Sequence, residues 1–264
     1  MATNIVISGA SSGLGRALSL EYAGRGVSLG LLGREEARLR EIAAQAEARG
    51  ATVRAAAIDV RDSKAMRSYL LDFDAASPID CVIASAGVTM VTPPESDVED
   101  LTKAAQLFEV NLNGVMNTIA PIAPLMRGRR SGQIALFGSI AAFAPPPDSP
   151  TYAASKAALV AFGLATRALY RADGVSVSVI CPGFVDTPMT RSFSSWKPFL
   201  ISSEEAARRI RRGLERRKAI IAFPWPLYAA ARLQQWLPDP VRTRVMMSGW
   251  ARAREREDDQ SGRS

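Results

Sequence analysis

The chain has 264 residues, 47% hydrophobic and 22% charged, which suits a soluble α/β domain large enough to bury a core without disulfide or metal support. It contains no histidine, which excludes Ser-His-Asp and Cys-His nucleophilic sites and His-ligated metal centres, and no metal site is expected. The formal charge of +7 is uneven: residues 204–264 hold 14 Lys/Arg against 8 Asp/Glu, whereas residues 1–203 are nearly balanced.

In chain order, the N-terminus enters an apolar run, Asn4–Ser8, with no basic leader or cleavage site, so a cytoplasmic protein is expected. A glycine turn follows at 9–15, then a helix over 14–25 and a strand over 27–32. Residues 35–49 carry Leu39, Ile42 and Ala46 at helical spacing. A third strand, 53–58, ends at Asp59; a helix covers 63–74 and a fourth strand 80–84. A longer helix spans 99–117, a strand 133–137, an Ala-rich helix 152–172 and a strand 175–180. Ser202 and Glu205 have capping-box spacing and open a basic helix to Arg217, before a last strand over 219–223. Cys81 and Cys181 lie inside strand-like runs and are expected as buried free thiols.

Strands without alternation, separated by helices, predict a doubly wound Rossmann fold: a single domain whose parallel sheet is flanked by helices on both faces. Residues 1–223 are expected to form the dinucleotide-binding and catalytic domain. Residues 224–264 form an aromatic, Arg-rich extension whose last part, 251–264, is expected to be exposed and disordered. The apolar stretch 219–231 is broken by Pro224 and Pro226 and is too short to span a bilayer.

The turn Gly9-Ala10-Ser11-Ser12-Gly13-Leu14-Gly15 stands between a strand and a helix, where glycines let backbone approach a pyrophosphate at a helix N-terminus. The second strand ends in Gly33-Arg34, where an acidic residue would bind NAD ribose hydroxyls. Arg34 suits a 2′-phosphate and so NADP(H) over NAD(H); a solvated arginine at a helix start is the alternative. Tyr152 and Lys156 are four residues apart, near one helix face, where the ammonium is expected to lower the phenol's pKa. Alone that spacing is a common coincidence. Ser139 follows a strand end thirteen positions earlier, and Asn111 lies inside the long helix.

Taken together, the glycine turn, Asp59-Val60, Ala86-Gly87, Asn111, Ser139, the Tyr-x-x-Ser-Lys stretch at 152–156 and Pro182-Gly183 resemble the short-chain dehydrogenase/reductase family over roughly residues 3–223. The resemblance implies Tyr152 as general acid or base and Ser139 as the group that positions the substrate oxygen. It implies Lys156 on the nicotinamide ribose and Asn111 anchoring Lys156 through water. It also implies Asp59 and Val60 at the adenine, Ala86 and Gly87 at the ribose, and Pro182, Gly183, Val185 and Thr187 at the nicotinamide. Ser8 and Ser85 stand where the family usually has Thr and Asn.

Phe143, Phe184, Phe193 and Trp196, with Ser139 and Tyr152, are the expected substrate contacts, and the aromatic walls favour an apolar or amphiphilic carbonyl or alcohol. The extension, with Trp225, Trp236 and Trp250, has two open readings: a cover over the pocket or a subunit contact, or a basic segment lying on a membrane surface. No nucleic-acid motif accompanies the charge, so no nucleic acid is expected as partner. The resemblance suggests a homodimer or homotetramer joined through the 99–117 and Tyr152 helices. A non-catalytic NADP-binding regulator or scaffold on the same fold is the alternative function.

Overall fold

Short apolar runs become the strands of one parallel sheet in the computed structural model, which describes residues 2–92, 98–191 and 197–247. The chain alternates β1 (Asn4–Ser8), α1 (Gly13–Tyr22), β2 (Ser28–Gly33), α2 (Glu36–Glu47), β3 (Thr52–Ala57), α3 (Ser63–Ala76) and β4 (Cys81–Ala84). It continues through α4 (Leu101–Phe108), α5 (Gly114–Ile119), α6 (Ala123–Gly128), β5 (Gly132–Phe137), α7 (Pro150–Tyr170) and β6 (Val175–Pro182). After the small β7 (Val185–Asp186), α8 (Pro188–Arg191) and β8 (Ile201–Ser202) come α9 (Ser203–Glu215), β9 (Ile220–Phe223) and α10 (Trp225–Leu233).

The sheet order is β3-β2-β1-β4-β5-β6-β9. Leu18, Leu39, Ile42, Ile210 and Leu214 bring α1, α2 and α9 onto one face, against Ile5, Ile7 and Leu29. Met66, Leu70, Ile119 and Leu159 bring α3, α5 and α7 onto the other, against Val6, Val82 and Ile134. The doubly wound fold expected from periodicity is therefore present. β1 pairs with β2 on one side and β4 on the other, so the order reverses there and opens a crevice beyond the strands' carboxyl ends.

Several details depart from the sequence expectation. β3 is an edge strand with Thr52, Arg54, Ala55 and Ala57 exposed, so one of the expected core strands is half solvated. The helix expected over 99–117 starts as α4, passes through a π-helical turn, Glu109–Asn113, and resumes as α5. α7 begins two residues before Tyr152, with Pro150 in its first turn and the Glu99 carboxylate accepting from the Thr151 amide at 3.1 Å. Ser202 caps α9 by accepting from the Glu205 amide at 3.1 Å. Glu205 does not return the bond: Arg209 and Arg208 hold its carboxylate and lower its pKa to about 2.

The extension is structured where it is described. Leu227, Tyr228 and Ala231 of α10 pack with Ile140, Phe143 and Cys181, while Trp225 and Trp236 remain 73% and 84% exposed. Among the described residues no helix is long and apolar enough to cross a membrane. Phe193, Trp196, Trp250 and the segment 251–264 lie outside the described residues.

Candidate active site

The glycine turn is shaped by close approaches that leave room only for hydrogen. Gly9 has φ +70°, and a Cβ there would lie 2.7 Å from the Ala86 backbone; one on Gly15 would lie 2.1 Å from the Gly9 carbonyl oxygen. This brings the exits of β1 and β4 together, with Ala86 and Gly87 beside the turn. Ser12 begins α1 but makes no side-chain cap, and the first turn holds no acidic residue. The helix thus offers uncapped amides and an uncompensated dipole, a donor set that fits a phosphate group. Thr187 reaches over from the loop after β6, with its Cγ2 3.4 Å from where a Gly13 Cβ would lie.

At the far end of the crevice the Ser11 hydroxyl stands against Gly33, and Arg34 follows, exposed. Asp59 is gripped by Arg61, Nε to Oδ1 at 3.1 Å and Nη2 to Oδ2 at 2.7 Å. That guanidinium, with a smaller contribution from Arg34, holds the Asp59 carboxyl below its ordinary pKa. Any adenine meeting Asp59 would therefore also meet Arg61. The Val60 side chain is buried against Gly114, and its carbonyl accepts from Asn117 Nδ2 at 2.8 Å. Val185, in β7, is buried too, packed in the core.

The polar groups of the crevice floor come from three elements. Asn111 sits in the π-helical turn, fully buried; its Oδ1 accepts from the Val88 amide at 2.8 Å. Its Nδ2 donates to the Val88 carbonyl at 3.0 Å and to Ser155 Oγ at 3.1 Å. Asn111 thereby ties the loop after β4 to α7, and no direct bond joins it to Lys156. Gly87 fills the space between: a Cβ there would be 3.3 Å from Asn111 Oδ1 and 3.5 Å from Lys156 Nζ.

Lys156 is 6% exposed and donates to the Phe137 carbonyl at 2.9 Å. Burial disfavours its charged form and lowers its pKa to about 8. Its Nζ lies 5.6 Å from the Tyr152 ring centroid. Tyr152 corrects one expectation. Its pKa is raised, chiefly by burial, and the opposing influence is a hydrogen bond with the Ser139 hydroxyl; the Lys156 ammonium, turned to Phe137, does not lower it. Ser139 also accepts from the Ala141 amide at 3.1 Å, which aims its hydroxyl at the start of a short 3-10 turn, Ile140–Ala142.

On the substrate side Phe184 is partly exposed, but Phe143 is buried at 7% and does not line the crevice openly. Its ring is covered by Tyr228 and Arg232, residues of α10 that sequence reasoning did not select. The only signal for them was the aromatic and basic character of the extension. Pro182 and Gly183 are partly exposed, with Pro224 and Leu227 of the extension packed 3.1 and 3.2 Å from a Gly183 Cβ position. A separate open depression of about 520 Å³ between α1 and α9 is lined by Glu21, Glu205, Arg208, Arg211, Arg212 and Glu215. Its charges pair with one another, Arg211 with Glu21 and Glu215 and Arg208 with Glu205, and it lies apart from the crevice.

Residues 3–198 match the family model described as short chain dehydrogenase. A relative from Myxococcus xanthus described as an uncharacterized oxidoreductase is 33% identical over 89% of this chain and 93% of its own length. Among solved structures, a short-chain dehydrogenase of Sphingobium yanoikuyae in complex with NADPH shares 23% identity and superposes with TM-score 0.76, covering 89% of this chain and 96% of the other. A short-chain dehydrogenase/reductase of Burkholderia phymatum in complex with NAD shares 24% identity with TM-score 0.78, covering 88% and 92%.

Proposed function

The chain belongs to the short-chain dehydrogenase family and is an oxidoreductase of that kind; from this premise we propose that it moves a hydride between NADP(H) and a carbonyl or secondary alcohol on an apolar or amphiphilic carbon frame. The observation that carries the reading is the meeting of Ser139, Tyr152 and Lys156 at the end of a crevice whose other end is an uncapped helix N-terminus. A bound nicotinamide dinucleotide would supply or accept the hydride.

The chain's own residues do the rest. The turn 9–15 would receive the pyrophosphate on backbone amides, with Ser11, Ser12, Gly13 and Leu14 at the helix start. Arg34, which follows Gly33 at the end of β2, would take a 2′-phosphate. The solved relatives hold NADPH in one case and NAD in the other, so the preference rests on this arginine. Lys156 would leave the Phe137 carbonyl, or share its donors with it, to hold the nicotinamide ribose, while Pro182, Gly183 and Thr187 flank the nicotinamide. Ser139 and Tyr152 would both hydrogen-bond the substrate oxygen. Tyr152 gives it a proton in reduction and takes one in oxidation. Asn111 is a positioning residue that fixes Val88 and Ser155 around this floor.

A pair of like chains is part of the same proposal: Leu101 and Phe108 of α4 and Leu164 and Leu169 of α7 are exposed apolar residues on the two helices expected to meet a second copy. The decisive experiment is a panel of hydrophobic ketones with NADPH and NADH, repeated with Tyr152→Phe. The expected loss of kcat is about a thousandfold or more, with NADPH affinity retained. NADPH binding without turnover of any ketone would favour the scaffold alternative.

A further inference from the structure

Four residues beyond Ser139, the Phe143 ring meets Tyr228 of α10 edge to face, centroids 5.3 Å apart. Arg232, one turn past Tyr228, lays its guanidinium over both rings, 5.3 Å from the Phe143 centroid and 6.0 Å from that of Tyr228. Its Nη1 donates to the Tyr228 hydroxyl at 3.1 Å. Two ring contacts and one hydrogen bond fix the plane of the guanidinium and use one of its five N–H donors. The others stay available on an exposed residue.

Arg208, Arg209, Arg211 and Arg242 each pair with a carboxylate, whereas none among the described residues pairs with Arg232. A pre-organised cation with no carboxylate partner among the described residues is suited to an incoming oxyanion, which its planar fork can bind through two bonds. Its position is tied to the reacting centre. The start of α10 packs on Gly183 and Ile140, and Phe143 lies about 8 Å along the chain from Ser139 at roughly 2 Å per residue of a 3-10 turn.

We infer that Arg232 determines substrate specificity by receiving the anionic end of an amphiphilic carbonyl or alcohol substrate, a carboxylate, sulfonate or phosphate separated by several carbons from the carbon that reacts. This deepens, and rests on, the oxidoreductase reading above. The intervening carbons would lie along Tyr228, whose ring carries the fixed guanidinium.

The test is a homologous series of methyl-ketone carboxylic acids, from levulinate upward, each compared with its methyl ester, using NADPH and the wild-type, Arg232→Met and Arg232→Lys proteins. Methionine keeps a long apolar stem over Phe143 and removes the charge. The acid-to-ester ratio of kcat/KM is expected to exceed about ten at the best chain length in wild type and to fall about ten- to hundredfold in Arg232→Met, with Arg232→Lys between. A wild-type ratio near one, or equal loss for acid and ester in Arg232→Met, overturns the proposal and leaves Arg232 a structural cover for Phe143. If no ketone of either kind turns over, the oxidoreductase reading fails. The anion site is then judged by calorimetric binding of octanoate to the NADPH-loaded proteins: weaker binding by Arg232→Met supports it, and equal or absent binding overturns it.

Discussion

The floor and the rim of the crevice are built on different principles. On the floor, Asn111, Gly87 and Lys156 are packed closely, and Asn111, Lys156 and Ser139 bond the backbone of Val88, Phe137 and Ala141 respectively. At the rim, Arg34, Arg61 and Arg232 are exposed; Arg61 is held by a local carboxylate and Arg232 by ring faces. Groups on the floor hold geometry, so removing one strands buried partners in a low-dielectric site. Rim groups hold charge, each weakened by solvent and salt, and in the proposed function they would select among ligands without shaping the site.

The sharpest way to break that contrast is Asn111→Ala. It leaves the Val88 amide and carbonyl and the Ser155 hydroxyl short of a partner, each worth about 1–3 kcal/mol when buried. We expect a clear fall in melting temperature and a loss of about a hundredfold in kcat. Asn111→Asp, which still accepts from the Val88 amide, should recover part of the stability but little of the rate. A stable Asn111→Ala protein with near wild-type kcat would show that the floor tolerates what the rim tolerates.

How much of this was legible beforehand follows the same division. The turn 9–15 could be read because strand, glycines and helix are contiguous, and the Ser202 cap because capping is local. The π-helical turn at Glu109–Asn113 has an ordinary helical composition, so its effect, aiming Asn111 at Val88, is set by tertiary contact. Phe143 was expected among the aromatic walls of the crevice; its ring is covered by a helix more than eighty residues later. Tyr152 and Lys156 were correctly seen to share a face, but their protonation depends on burial, which spacing does not report.

Lys156 supplies the second prediction, because charge on the floor should have opposite effects on folding and on binding. Its pKa is lowered to about 8 in the folded, cofactor-free chain, against an ordinary value of 10.5. Below about pH 8 the buried ammonium is charged at a cost. As pH rises from about 8 toward 10.5 the folded state sheds the proton more readily than the unfolded one, and this cost disappears. Stability of wild type relative to Lys156→Met should therefore rise over that window, read by denaturant titration at fixed pH. If the ammonium is what holds the ribose, NADPH affinity should fall over the same window, by up to about tenfold per pH unit. Both quantities moving in one direction would remove Lys156 from the cofactor contact.

Arg34 should give a smaller effect, because it is exposed and its charge is screened. Arg34→Ala should lower the ratio of kcat/KM for NADPH over NADH by about tenfold, the value of a charge-assisted bond discounted for solvent. The NADH value should hardly change, since the contact is with a phosphate that NADH lacks. Raising ionic strength should narrow the wild-type ratio toward that of the variant. Arg61 offers a contrast, since its guanidinium is already committed to Asp59, and Arg61→Ala should therefore alter the ratio less than Arg34→Ala does. A wild-type preference for NADH, or a ratio insensitive to Arg34, would mean that the end of β2 does not read the 2′-position.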